Sequence, residues 1–311
     1  MADETPINTR PGDDRADTRC GFVALIGAPN AGKSTLLNML VGAKVSIVTH
    51  KVQTTRALVR GIMVEDETQL VFIDTPGIFS PRRRLETAMV DAAWGGARDA
   101  DVIVLVVDAR SPDSEDVQRI VNQLSDTKVP VLLALNKVDL VKKDKLLGAA
   151  AMLNESHAFT ETFMISALTG SGVADLRDAL IARAPSGPWH YPEDQLTDLP
   201  LRMAASELTR EKLMLRLHDE LPYRLTVETE DWKDFGKKGV RIQQVIYVER
   251  DGHKGIVLGK GGQTIREIGQ TAREEISAML ERPAHLFLFV KVRERWSEDP
   301  ERYREMGLDA G

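Results

Sequence analysis

The chain of 311 residues contains a single cysteine, Cys20. An internal disulfide framework is therefore excluded, and the usage fits a reducing compartment. No apolar run approaches the ~20 residues needed to span a bilayer. The six histidines are scattered singly, with no Cys/His spacing that suggests zinc. Residues 1–19 are polar and mixed in charge, without the apolar stretch of a secretory signal, and read as a disordered tail. Positive charge is not in excess: the net charge is −6. Any nucleic-acid site must then be a local patch rather than a global field, and DNA is not an expected partner. No internal repeat is present. What remains is ordinary for globular chains, 42% hydrophobic and 28% charged, and long enough for two domains.

The strongest positive signal is Gly27-Ala28-Pro29-Asn30-Ala31-Gly32-Lys33-Ser34, which reads G-x-x-x-x-G-K-S. An apolar run precedes it and a helix-compatible stretch from Thr35 follows, the context a phosphate-binding loop requires. Glycine lets the backbone curl so that several N–H groups, including those at a helix N-terminus, converge on phosphate. Lys33 is expected to reach the β- and γ-phosphates and Ser34 to ligate Mg2+. Asp74-Thr75-Pro76-Gly77 follows ~40 residues later, an interval with room for one helix and two strands. Asp74 would hold Mg2+ through water, and the Gly77 N–H would meet a γ-phosphate. Asn136-Lys137-Val138-Asp139 is an N-K-x-D element. The Asp139 carboxylate matches the two donors of guanine, and adenine offers no such pair. Asn136 would tie the base loop to the phosphate loop. Ser166-Ala167-Leu168 would supply backbone N–H to the guanine oxygen. Thr54-Thr55 lies in the loop between the first helix and the second strand, and a hydroxyl from it is expected to complete the Mg2+ shell and sense the γ-phosphate, with Thr55 preferred to Thr54.

Between residues 21 and 184 short apolar runs (22–26, 58–64, 69–73, 102–107, 131–135, 163–165) alternate with amphipathic helices. That pattern predicts an α/β P-loop domain with a mostly parallel sheet sandwiched by helices. Four prolines between 184 and 200 predict a linker. Beyond it, a helix over 203–220, a hairpin over 224–230 and 241–249, helices interrupted by glycine over 256–280 and a strand over 286–292 predict a smaller α+β domain.

Val257-Leu258-Gly259-Lys260-Gly261-Gly262-Gln263-Thr264-Ile265 carries G-x-x-G between aliphatic flanks. With its upstream hairpin and downstream strand it resembles a type II KH domain, whose loop clamps about four nucleotides of single-stranded backbone. Gly259, Lys260, Gly261 and Gly262, with Lys254 and Arg266, are the candidate RNA contacts. Lys237, Lys238, Arg241, Lys291, Arg293 and Arg295 could extend a basic face or simply be solvated.

The first domain resembles the G domain of translation-factor-related GTPases. In well-studied GTPases a glutamine after D-x-x-G orients the attacking water. Here Ile78 stands there and offers no hydrogen bond. Hydrolysis is therefore expected to be slow and to need another group. Asn30 matches the position at which some relatives hold K+. Over residues 20–297 the chain resembles the Era family of bacterial GTPases. Gln53-Thr54-Thr55-Arg56, residues 191–198 and residues 207–212 match as well; Val52 stands where that family usually has proline. The resemblance implies a domain plan of a tail (1–19), G domain (20–184), linker (185–200), KH domain (201–297) and tail (298–311). It also implies GTP/GDP, Mg2+, 16S ribosomal RNA and the 30S subunit as partners. Residence in the cytoplasm, with loose association with the inner membrane, is implied in the same way. A GTPase of tRNA modification would need a helper domain that is not seen. An RNA chaperone with a merely stabilising G domain would not hydrolyse GTP.

Overall fold

The structure is a computed structural model and describes residues 17–81, 83–294, 296 and 308. Most of the two expected tails, and Arg295, lie outside the described residues.

The first domain is a six-stranded sheet in the order β2-β3-β1-β4-β5-β6. Its strands are β1 (Arg19–Ile26), β2 (Val59–Glu65), β3 (Thr68–Asp74), β4 (Val102–Asp108), β5 (Val131–Asn136) and β6 (Glu161–Met164). Only the β2–β3 pair is antiparallel. Side chains alternate across a strand, so a continuous apolar run feeds two cores. Val23 and Leu25 of β1 face a core with α1 (Lys33–Val41) and α5 (Val173–Arg183). Ala24 and Ile26 face another with α2 (Arg84–Arg98), α3 (Glu115–Leu124) and α4 (Lys143–Ser156). The carboxyl ends of β1, β3, β4 and β5 therefore open on one edge, where open α/β sheets bind ligands.

Residues 185–200 are less free than their prolines suggest. They run along the outer edge of β2, tied as well to the Gln69 side chain of β3. Leu196 accepts from the Ile62 N–H at 2.9 Å, Arg60 pairs with Asp198 at 2.7 Å, and the Gln69 amide holds His190 and Tyr191. A strap of this kind covers a sheet edge that would otherwise expose unpaired N–H and C=O groups.

The second domain begins with α6 (Leu201–Arg216), followed by β7 (Leu225–Asp234), β8 (Val240–Val248), α7 (Asp251–Leu258), α8 (Gln263–Met279) and β9 (Ala284–Val292). Its sheet runs β7-β8-β9, an antiparallel hairpin joined to a parallel third strand. Helix α6 stops four residues short of the expected 220. Leu217 turns extended and Asp219 takes φ 54°, which end the helix before the single 3-10 turn Leu221–Tyr223 that holds Pro222.

The domains meet through residues 44–56 of the first. Ile47 is buried among Ala205, Leu208, Val240, Ile242 and Ile276 of the second. The Lys44 ammonium pairs with Glu211 and Glu275, and the Val48 N–H donates to Glu211 at 2.9 Å.

Candidate nucleotide site and nucleic-acid loop

The phosphate loop leaves β1 and enters α1 through Gly32, at φ 103°. A Cβ there would lie 2.3 Å from the side-chain nitrogen of Asn136. Only glycine satisfies both the left-handed backbone and the close approach. The free N–H groups of α1 point into the same mouth. Lys33 is buried, and its Nζ donates to the carbonyls of Gly27 and Ala28, both at 3.1 Å. Burial pushes its ammonium down to about 8; Asp74 opposes that shift and Lys137 adds to it. Pro29, Asn30, Ser34, Thr35, Gly77 and Lys137 line the adjoining cleft.

Hydroxyl groups converge on one carboxylate oxygen at the end of β3. Asp74 Oδ2 accepts from Ser34 at 2.6 Å, Ser46 at 2.8 Å and Thr55 at 3.3 Å. Ser34 and Thr55 are themselves 3.0 Å apart. The other carboxylate oxygen, Oδ1, is buried without a hydrogen-bond partner. Burial raises the Asp74 pKa, with Lys33 and the hydroxyls opposing. A fully buried carboxylate with an orphaned oxygen and hydroxyl neighbours is a hard-oxygen donor set that fits Mg2+. Thr54 turns away, with its hydroxyl on Thr49 at 2.6 Å and on the Lys51 carbonyl at 2.7 Å. Thr75 is buried and holds the Leu25 carbonyl at 2.8 Å, a structural bond. Ile78 is 1% exposed in the core, and its N–H donates to the Gly27 carbonyl. Its side chain is packed into the core that β1 shares with α2, α3 and α4.

At the base end, Asn136 uses both ends of its amide. Nδ2 donates to the Ala31 carbonyl at 2.8 Å and Oδ1 accepts from the Ala167 N–H at 2.9 Å. One buried side chain thus locks the phosphate loop, the end of β5 and the Ser166–Leu168 loop together. Asp139 is exposed beside them, as is the Leu168 side chain. Lys137, held at φ 65°, donates to the Asn30 carbonyl at 2.5 Å and to Asp108 at 2.8 Å. Burial opposes ionisation of Asp108, yet donors from Arg110 and Lys137 outweigh it and hold the carboxyl at about 2. Asp108, Arg110 and Ser46 are absent from the residues singled out by sequence. Asp108 had a usable signal, because it ends an apolar strand run on the same edge as Asp74 and Asn136. Ser46 had none.

In the second domain, the G-x-x-G loop joins α7 to α8. Gly259, Gly261 and Gly262 sit at φ 72°, 60° and 75°. A Cβ at Gly259 would lie 2.2 Å from the Thr264 hydroxyl, whereas one at Gly262 meets nothing within 4 Å. The first glycine thus closes the turn, and the last faces open space. Lys260 and Arg266 are exposed and Lys254 is half-buried. The wider basic face is partly engaged: Lys291 pairs with Glu230 at 2.9 Å, and Arg241 lies over the Phe287 ring at 5.3 Å.

Residues 22–137 match the family described as 50S ribosome-binding GTPase, and residues 220–297 match the KH domain. The chain is 63% identical over 292 residues to the GTPase Era of Sinorhizobium medicae, covering 94% of each. It is 60% identical over 307 residues to that of Agrobacterium fabrum, covering 98% of this chain and 96% of that one. A crystal structure of Era in complex with MgGDPNP and nucleotides 1506–1542 of 16S ribosomal RNA superposes with a TM-score of 0.89 at 37% identity, covering 94% of this chain and 99% of that one. An Aquifex aeolicus Era variant bound to GDP and AlF4- gives the same score and identity, covering 94% and 100%. Identity this high, carried through both domains and nearly the whole length, makes the chain a member of the GTPase Era family.

Proposed function

We propose that this GTPase is a switch that binds single-stranded 16S ribosomal RNA and assists assembly of the 30S subunit. The RNA reading is supported by the KH match and by the RNA in the related Era crystal structure. The observation that carries the switch is residues 44–56, which reach the Asp74 cluster through Thr55 and the second domain through Ile47 and Lys44. The proposed division is G domain 20–184, connector 185–200 and KH domain 201–297.

In this reading the N–H groups of residues 27–35 and the Lys33 ammonium bind the phosphates, and the Gly77 N–H meets the γ-phosphate. Ser34, Thr55 and, through water, Asp74 hold Mg2+, which neutralises charge on the β- and γ-oxygens when bound. Water attacks the γ-phosphorus, the bond to the β–γ bridging oxygen breaks, and GDP leaves with that electron pair. Asp139 selects guanine, framed by Asn136, Lys137 and residues 166–168. Because Ile78 is sealed in the core, water must be oriented by something else, and K+ beside Asn30 is the proposed helper. Hydrolysis is then faster in potassium than in sodium at matched ionic strength; equal rates remove the ion.

Gly259–Gly262, with Lys254 and Arg266, clamp RNA backbone. The family resemblance supports a cytoplasmic location with loose inner-membrane association; no described helix is long and apolar enough to cross a membrane. RNA titrations of the GTP-analogue, GDP and empty forms test the switch. A coupling of about 1–3 kcal/mol changes RNA affinity roughly 5- to 150-fold between forms. Identical affinities leave two tethered modules.

A further inference from the structure

Thr55 is held from both sides by the second domain. The carbonyl of Thr54, just before it, accepts a hydrogen bond from the Arg210 guanidinium of α6. The residue just after it, Arg56, inserts its own guanidinium into the second domain. Arg56 donates to the Leu225 carbonyl at 2.8 Å and to those of Tyr223 and Pro222 at 3.3 and 3.4 Å, and it lies over the Trp296 ring at 5.5 Å. Both arginines are buried, at 3% and 2% exposure. Between these two anchors the Thr55 hydroxyl sits 3.0 Å from Ser34 and 3.3 Å from Asp74.

A backbone fixed on either side of one residue has little freedom at that residue. Arg210 is itself fixed. Its Nε and one Nη grip the Glu207 carboxylate, one turn earlier on the same helix, at 2.7 and 2.5 Å, and its other Nη meets the Met214 sulfur at 3.3 Å. One planar fork therefore reads Glu207, Met214 and the Thr54 carbonyl together, a geometry that guanidinium supplies and ammonium does not.

We infer that Arg210 of the KH domain is a positioning residue for the GTPase site, holding Thr55 where it completes the Mg2+ shell. This inference rests on the proposed roles of Thr55 and Mg2+. On this view the nucleotide site is finished by the RNA-binding domain rather than by the γ-phosphate alone. Arg210 touches no nucleotide; it acts through the Thr54 carbonyl.

The test uses the full chain carrying Arg210→Met, which keeps the length and apolar contact of the side chain and loses the fork. Glu207 is 30% exposed at its side chain and can be hydrated once its partner is gone. Protein loaded with a non-hydrolysable GTP analogue is titrated with Mg2+, read by release of a fluorescent analogue. Half-saturation should move to about tenfold higher Mg2+. The turnover number should fall roughly 10- to 100-fold, as expected for misplacement of a group by about 1 Å. Affinity for GDP should stay within about twofold, since phosphate-loop and base contacts are intact. Arg210→Lys, which can still donate one bond to Thr54, should recover part of the Mg2+ shift. An unchanged Mg2+ titration in Arg210→Met overturns the inference, and so does a loss of GDP affinity equal to the loss of turnover in a folded protein. If Arg210→Met does not fold, Glu207→Gln decides, because it keeps Arg210 but weakens the grip on its fork. A shifted Mg2+ requirement then supports the inference, and an unchanged one overturns it. Failure of wild-type protein to hydrolyse GTP would instead overturn the proposed function.

Discussion

Asn136, at the end of β5, and Gly262, in the KH loop, belong to the two proposed ligand sites, yet their surroundings are opposites. Asn136 is 1% exposed and spends its amide on two other loops. Gly262 meets nothing that a Cβ would touch. The first region is a frame in which each motif residue fixes another, so it selects a ligand by fitted polar groups. The second leaves its backbone open at Gly261 and Gly262, so as the proposed clamp it would accept any chain whose phosphates can approach. On the proposed roles, selectivity for one base comes from the former, and tolerance of sequence from the latter.

The sharpest way to break this contrast is Asp139→Asn. Two hydrogen bonds from guanine to a charged acceptor contribute about 3–6 kcal/mol together. Losing their fit should weaken GTP roughly 100- to 10,000-fold at about 1.4 kcal/mol per decade. Xanthine nucleotide, whose 2-oxo group accepts from the new amide, should gain. Competition binding with GTP and XTP checks it, and full GTP affinity without XTP binding refutes the role of Asp139.

A smaller effect is expected at the open loop. Gly262→Asp brings a carboxylate to where a phosphate must pass. At ~4 Å such a pair repels by about 1–4 kcal/mol, depending on whether water or protein surrounds it. RNA affinity should fall at least about fivefold while GTP affinity holds, since among the described residues Gly262 has open space where a Cβ would stand and lies in the other domain from the nucleotide site. Gly259→Asp is the poorer probe, because its side chain would strike Thr264 and damage the turn itself. RNA binding unchanged by Gly262→Asp in a folded protein removes the loop from the interface.

The same contrast explains what could be read from the chain. The nucleotide site was legible because its motifs are contiguous, ordered and each placed at the end of an apolar run. Gly27–Ser34, Asp74 and Asn136 therefore announce one strand edge. The open loop was legible only through its flanks and its glycines, and the chain did not distinguish Gly259 from Gly262, since the difference depends on where Thr264 folds back. Contacts between distant segments left no local pattern. Arg210 with Thr54, Glu211 with Val48 and the strap along β2 join residues more than a hundred positions apart. The prolines of 185–200 exclude a regular helix but do not tell a free tether from a bound strap.

The smallest effect concerns Lys33, where the closed character of the nucleotide site has a pH signature. In the free protein burial holds its ammonium at about 8. Bound phosphates place opposite charge beside it and raise that value. A group that gains protons on binding makes affinity fall as pH rises through the free-state pKa. Affinity for GDP should therefore be level below pH ~7 and drop about tenfold by pH 9. Calorimetry in two buffers of different ionisation enthalpy counts the proton directly. Uptake of about half a proton is expected at pH 8, where the free group is half charged. Uptake near zero there would mean that Asp74 keeps the ammonium fully charged before nucleotide arrives. The frame would then be electrostatically complete without its ligand, and burial would not be the dominant influence on Lys33.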